Sequence, residues 1–414
     1  MTGISTIPPT KSGTSPYLGA VAERVALAVA DTSFYTTKHL FREVDRNNVE
    51  TLMLDCVDYR NAWNQGRPPW RWSEPLEQCG PRLHRRDLVL PSGWMKRFPR
   101  FGMRPIARAI REWRHEHAAD APLTLVMTYP HFVYLRDQLR PERTVYYNID
   151  DYTLYWPGSA EVVRRLERQI VLESDLTVCV ARRRADELRD AIPEAADRIR
   201  HLPHGTPSGS IPDHPLDRPG NAPADLAHLP RPWLGFVGSL SDRIDWRLVD
   251  RLATTFPAAS IVLVGSPPAM PAKPTGWSIE AARCLARPNV HAVGWRPQNE
   301  IARYYRAFDI SLIPYLVDHP FNIVCCPTKI MDAMPSGRPI VSTSIPECAL
   351  YASLFDVADD HAVFLDTVAS ILARNSNDGR AADRDAWARE HSCPRVAEQL
   401  LDWILEPPAR PPTC

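Results

Sequence analysis

A chain of 414 residues is longer than one hydrophobic core ordinarily serves, so two domains are expected. Its 49 basic and 49 acidic side chains cancel, which removes the whole-protein field that draws a chain onto nucleic acid. Hydrophobic residues at 44% and charged residues at 24% are proportions of a soluble globular protein, and no apolar run approaches the roughly 18 residues of a membrane span.

Residues 1–19 are short of large apolar side chains and read as disordered, with no basic segment and apolar core of a signal peptide. Arg24–Ala30 (RVALAVA) is a continuous apolar run, hence a buried strand, followed by a helix near Thr36–Val44. Thr51–Val57, Leu123–Thr128 and Thr144–Asn148 are further buried strands, the last running into Ile149-Asp150-Asp151. Glu161–Ser174 is helical, with Val162, Val163, Leu166 and Ile170 on one stripe. Leu176–Ala181 is a strand and Arg182–Ala191 a polar helix. Strands apolar on both faces that alternate with amphipathic helices indicate a parallel sheet covered on both sides.

The stretch 203–232 contains eight prolines and reads as a linker. The pattern then restarts with strand Trp233–Val237, helix Asp245–Phe256, strands Ser260–Val264 and Val290–Val293, helix Glu300–Phe308 and strand Ile310–Pro314. A helix from about Lys329 stops at Ser336-Gly337 and leads to strand Pro339–Ser342. The boundaries predicted are residues 20–205 for one α/β domain, 206–232 for the linker and 233–392 for a second, then a helix 393–405 and a Pro-rich tail 406–414. Both domains are doubly wound, and ligands are expected at the carboxyl ends of the strands, in a cleft between the two.

Three successive strands of the second half end in glycine: Gly238, Gly265 and Gly294. Such turns leave backbone N–H groups available to a diphosphate, and Arg243, five residues past Gly238, offers a bidentate phosphate contact. Lys329 and Asp332 stand three apart, so they share a helix face; an ordinary surface ion pair is the alternative to a phosphate-and-sugar site. Asp150 and Asp151 end a strand of the first half, where they either orient hydroxyls or cap the next helix. From Arg82 to Arg114 ten basic residues face only Asp87 and Glu112, with Trp94, Phe98, Phe101 and Met103 interleaved. This pattern suits an anionic membrane surface or, equally, a solvated helix face. Nine cysteines without CxxC or Cys/His spacing point to reduced thiols and to no metal site.

Together FVGSLSDRIDW, IVLVGS, NVHAVGWRPQNEIARYYRAFDISLIPY and CPTKIMDAMPSGRPIVST resemble a GT-B-fold glycosyltransferase of the family 4 type, which includes bacterial teichuronic-acid and exopolysaccharide enzymes. VYYNIDDY and ESDLTVCVARRRADEL resemble it more loosely. The resemblance implies two Rossmann-like domains facing a central cleft and a sugar transferred from a UDP- or GDP-sugar to a glycan or lipid-linked acceptor. It also implies retention of configuration, no metal, no cofactor beyond the donor, and a cytoplasmic protein, peripheral on the membrane through 82–114, without nucleic acid as partner. Lys329 and Arg243 would act on the diphosphate, with Gly238, Ser239 and Gly265 beside it. Asp332 would hold the ribose, Trp295 and Arg296 would lie near the base, and Asn322 near the donor sugar. Asp150 and Asp151 would face donor sugar and acceptor. The chain departs from the family in carrying Asp332 where Glu is usual, and Val324 where a second Glu often stands eight residues earlier. A sugar-nucleotide epimerase of the same fold and a non-catalytic partner subunit stay open as alternatives.

Overall fold

The computed structural model describes residues 24–64, 66, 72–94, 99–214, 222–268 and 271–406. The disorder expected of 1–19, most of the Pro-rich tail, and Lys96, Arg97 and Phe98 of the basic stretch lie outside them. The described chain forms two compact units, one of residues up to 205 together with those from 393 onward, the other of 206–392.

The first unit is built on β1 (Val25–Ala30), β2 (Val49–Asp58), β3 (Glu77–Gln78), β4 (Leu83–Leu90), β5 (Leu123–Met127), β6 (Arg143–Asn148), β7 (Leu176–Cys179) and β8 (Ile199–His201). Their order is β3-β4-β2-β1-β5-β6-β7-β8, parallel apart from the short β3. β1 lies at the centre, and Ala26 to Ala30 have no exposed surface, which is why that strand reads as an unbroken apolar run. The helix Ala160–Glu173 buries Val163, Leu166 and Ile170 as expected, whereas Val162 is 45% exposed and lies off the stripe.

The basic stretch does not form one free cationic surface. Its first part is the strand β4, paired with β2, where Arg85 donates to Asp55 and also pairs with Asp87. Its last part is the helix Arg104–His117, which buries Ile106, Ala107, Ala109, Ile110 and Trp113. Arg82 pairs with Glu50, Arg86 and Arg108 share Glu112, and Arg114 reaches Glu142. Glu50, Asp55 and Glu142, brought from elsewhere in the fold, thus join Asp87 and Glu112 in meeting these cations. Trp94 is buried against Phe132, while Phe101 stays exposed beneath Arg104.

The second unit contains β9 (Trp233–Val237), β10 (Ser260–Val264), β11 (Val290–Gly294), β12 (Ile310–Ile313), β13 (Ile340–Thr343) and β14 (Asp356–Ala358), all parallel, in the order β11-β10-β9-β12-β13-β14. Gly235 sits in β9 because Phe308 packs flat upon it: a Cβ there would lie 2.2 Å from the ring. The described residues of 206–232, read as a linker, belong to this unit. Leu226 is fully buried, Asp225 pairs with Arg296, and Arg231 pairs with Asp309.

The chain leaves the first unit after Gly205 and returns at Cys393. A Cβ on Gly205 would stand 2.8 Å from the Cys393 Cα, and the Thr206 N–H donates to the His391 carbonyl at 2.8 Å. The final helix, Cys393–Leu405, is therefore part of the first unit, where Asp402 pairs with Arg46 and the Trp403 carbonyl accepts from Arg143.

Candidate functional site

Each sheet changes winding direction once, and in open α/β sheets ligands collect at the carboxyl ends of the strands on either side of that point. In the second unit those strands are β9 and β12; in the first they are β1 and β5.

Beyond β9 the chain turns at Gly238, whose φ of +148° excludes most side chains. Its N–H donates to the Val264 carbonyl at 2.8 Å, and the Gly265 N–H donates to the Gly294 carbonyl at 2.9 Å, so the three strand-end glycines are stitched in sheet order. A Cβ on Gly265 would lie 1.9 Å from the Gly238 carbonyl oxygen. On its other side Gly238 meets Lys329: a Cβ at Gly238 would be 2.5 Å from both Cε and Nζ of that side chain. Ser239, next in the loop, is exposed.

Lys329 projects from the short helix Thr328–Ala333. Its ammonium lies 5.0 Å from the centre of the Tyr315 ring and 5.2 Å from that of Phe236. It forms no ion pair among the described residues, so the ordinary surface pair with Asp332 is not made. Asp332 is buried, and its carboxylate accepts from Gln298 at 3.3 Å. Arg243 comes in from the loop after β9. Its guanidinium stands 5.1 Å from the same Tyr315 ring, donates to the Asn322 side-chain Oδ1 at 2.8 Å and reaches the Cys325 sulfur at 3.1 Å. Asn322 is fully buried, and its amide donates to the Arg243 and Leu316 carbonyls. It thus clamps Arg243 from both sides of its amide.

Trp295 is 64% exposed, while Arg296 is tied to Asp225 at 2.6 Å and to the Tyr304 hydroxyl at 2.8 Å. Arg296, Asp225 and Tyr304 border a cavity of about 290 Å³ lined also by Pro223, Glu300 and Arg303.

In the first unit Asp151 caps the turn Tyr152–Tyr155, accepting from the Thr153 N–H at 2.9 Å, with Arg184 at 3.9 Å. This is the capping role weighed above. Asp150, mostly buried, accepts from the Tyr155 hydroxyl at 2.7 Å. Sequence reasoning passed over Asp31, which directly follows β1 with a φ of +76° and 5% exposure. Burial pushes its carboxyl up to about 6, against hydrogen bonds from the Ser33 and Cys56 N–H groups that act to lower it. Tyr129 is the residue two past the end of β5, so Asp31 and Tyr129 occupy the switch point of this sheet. The available signal was an acidic residue directly ending an unbroken apolar strand, as at Asp150.

Residues 231–374 match the family model described as glycosyl transferases group 1. Over 174 residues the chain is 24% identical to the putative teichuronic acid biosynthesis glycosyltransferase TuaH of Bacillus subtilis, which amounts to 41% of this chain and 42% of that protein's length. The structure is similar to that of HepE from Anabaena, solved in complex with UDP and glucose, with a TM-score of 0.61 at 13% identity over 93% of this chain and 100% of that one. It is also similar to a UDP-forming α,α-trehalose-phosphate synthase from Burkholderia xenovorans, with a TM-score of 0.63 at 12% identity over 93% and 99%. At such identities the structural likeness speaks for the fold, and the sequence match speaks for the second unit. Residues 231–374 are a group 1 glycosyl transferase domain, in a chain with the paired parallel-sheet fold of the GT-B glycosyltransferases.

Proposed function

We propose that the chain transfers a sugar from a nucleoside-diphosphate donor to a glycan or lipid-linked acceptor in cell-surface polysaccharide synthesis, with retention of configuration and without a metal. The observation that carries this reading is the pair Lys329, packed on Gly238, and Arg243, both against the Tyr315 ring where β9 and β12 diverge. As the glycosidic bond to the donor breaks, negative charge develops on the leaving diphosphate. Fixed cations lower that barrier without reorganising, so their effect is larger in the transition state than in the ground state. HepE was solved with UDP, which makes a UDP-sugar the first donor to try. Gly238 and Ser239 would approach the phosphates, Asp332 the ribose, and the cavity beside Trp295 and Arg296 the base. Asp150 and Asp31, at strand ends of the first unit, would meet acceptor hydroxyls. The reaction is assigned to the cytoplasm, at the inner membrane face for a lipid-linked acceptor; no described helix is long and apolar enough to cross a membrane.

The test is a thermal-shift panel of UDP, GDP, dTDP and their sugars on wild type and Lys329→Ala. Ligand at about 100 times its Kd adds roughly 2.7 kcal/mol to stability. One nucleotide should raise the wild-type melting temperature and leave the variant unmoved, and turnover should fall by about 10² to 10³. A Lys329→Ala protein that binds and turns over like wild type would refute the assignment.

A further inference from the structure

Two cations from separate segments of the second unit lie against one aromatic ring. Arg243 arrives from the loop after β9 and Lys329 from the helix Thr328–Ala333, yet the two stand 5.1 and 5.0 Å from the same ring centre, that of Tyr315. Phe236 meets Tyr315 edge to face at 6.1 Å and gives Lys329 a second ring; Phe321, at 5.7 Å, gives Arg243 one. Tyr315 is itself held firmly. It is 4% exposed, its carbonyl accepts from the Thr343 hydroxyl at 2.6 Å, and it bridges to Ile244, while the Leu316 N–H donates to the Arg243 carbonyl.

Like charges drawn together must be held by something. A carboxylate between them would do so, but it would also cancel the charge that an anion needs to find. An aromatic face attracts a cation through its quadrupole and leaves the positive charge in place. Lys329 has no carboxylate partner among the described residues, which fits the second arrangement.

We propose that Tyr315 is a positioning residue for the donor diphosphate: its ring holds both Lys329 and Arg243 and leaves them charged, so that one ligand bearing two phosphates engages both. This rests on the donor-site reading above. It carries a selectivity of its own, since a nucleoside monophosphate presents only one phosphate and gains less from the pairing. Tyr315 would therefore set the preference for UDP over UMP without touching either.

The experiment measures UDP and UMP dissociation constants by calorimetry on the full chain, for wild type, Tyr315→Phe, Tyr315→Leu and Lys329→Ala. Tyr315→Phe keeps the ring and should bind UDP like wild type. Tyr315→Leu should weaken UDP about tenfold and UMP much less, narrowing the ratio between them. A purely structural role would weaken both ligands alike, and that result would overturn the proposal. Stepwise fluorination of a phenylalanine at position 315 keeps shape while draining the ring face. UDP affinity should fall with each fluorine, and a flat series would overturn the proposal even if Tyr315→Leu failed to fold. Loss of UDP binding in Lys329→Ala beside an indifferent position 315 would reject the platform and keep the donor site. Unchanged UDP binding in Lys329→Ala would reject the donor site itself.

Discussion

Replacing Gly238 by Ala tests the site through a residue that has no functional group. Its φ of +148° is one that side chains rarely adopt, and such strain costs about 1–3 kcal/mol. The added Cβ would stand 2.5 Å from the Lys329 Cε and Nζ, and 3.3 Å from the Phe236 ring. The lysine tip can swing aside while the backbone behind it cannot, so the ammonium should be the part displaced. Loss of a charge-assisted phosphate contact of about 1.5–3 kcal/mol would weaken nucleotide binding by roughly 10- to 150-fold. At about 2–4 °C per kcal/mol the melting temperature should fall by several degrees. The two neighbouring glycines are controls. In Gly265→Ala the Cβ would lie 1.9 Å from the Gly238 carbonyl oxygen, which is backbone and cannot yield, so that variant should fail to fold. In Gly294→Ala nothing is nearer than the Arg296 Nη1 at 3.7 Å, and only the φ of +82° costs, about 1–2 kcal/mol with affinity unchanged. Melting curves and UDP titrations on the three variants read both quantities. Gly238→Ala that melts early yet binds UDP as tightly as wild type would refute the claim that the glycine makes room for Lys329.

Two buried carboxylates should give opposite pH signatures. Asp31 is raised above its unfolded value, so the folded protein holds the extra proton and stability declines as pH climbs from about 4 to about 6. Asp31→Asn keeps the amide-oxygen contacts and cannot ionise; it should melt higher than wild type at pH 7, by up to about 3 kcal/mol, and converge with it near pH 4. Parallel curves for the two proteins would contradict this. Burial raises Asp378, but hydrogen bonds from Arg384 at 2.7 Å outweigh it and hold the carboxyl below its usual range. Its stabilisation is present above the unfolded pKa and lost as pH falls, and Asp378→Asn should cost about 3–5 kcal/mol because it strands a fully buried guanidinium. A loss under 1 kcal/mol in denaturant melts would show that Arg384 is satisfied by the Leu354 and Gly337 carbonyls, to which it also donates.

Where burial on both faces dictates a strand, the residues say so: Trp233–Val237 and Ser260–Val264 are read to the residue. β4 was not, because LHRRDLVL carries charges at the sheet that are tolerable only once Asp55 arrives from the neighbouring strand. The turn glycines and Lys329 are visible locally, since a backbone that must turn sharply leaves glycine in the text. The bond between Asn322 and Arg243 is invisible locally, since the two stand 79 positions apart. Tyr315 carries no signal of its own in the sequence; only the folded chain brings two cations to its ring. Asp31 and Asp151 are the same residue type beyond a strand end, yet Asp31 is buried at a positive φ while Asp151 caps a helical turn.

The adjacency of Gly205 with Cys393, and of Thr206 with His391, makes the second unit an insert in the first. Its two ends lie together, so 206–392 can be excised as one continuous piece, and peptide-bonding 205 to 393 should restore an uninterrupted host. The Cys393–Leu405 helix would travel with the host, and a truncation at 392 would strip the first unit, not the second. Partial proteolysis near the Pro-rich stretch should consequently nick the protein without releasing either half.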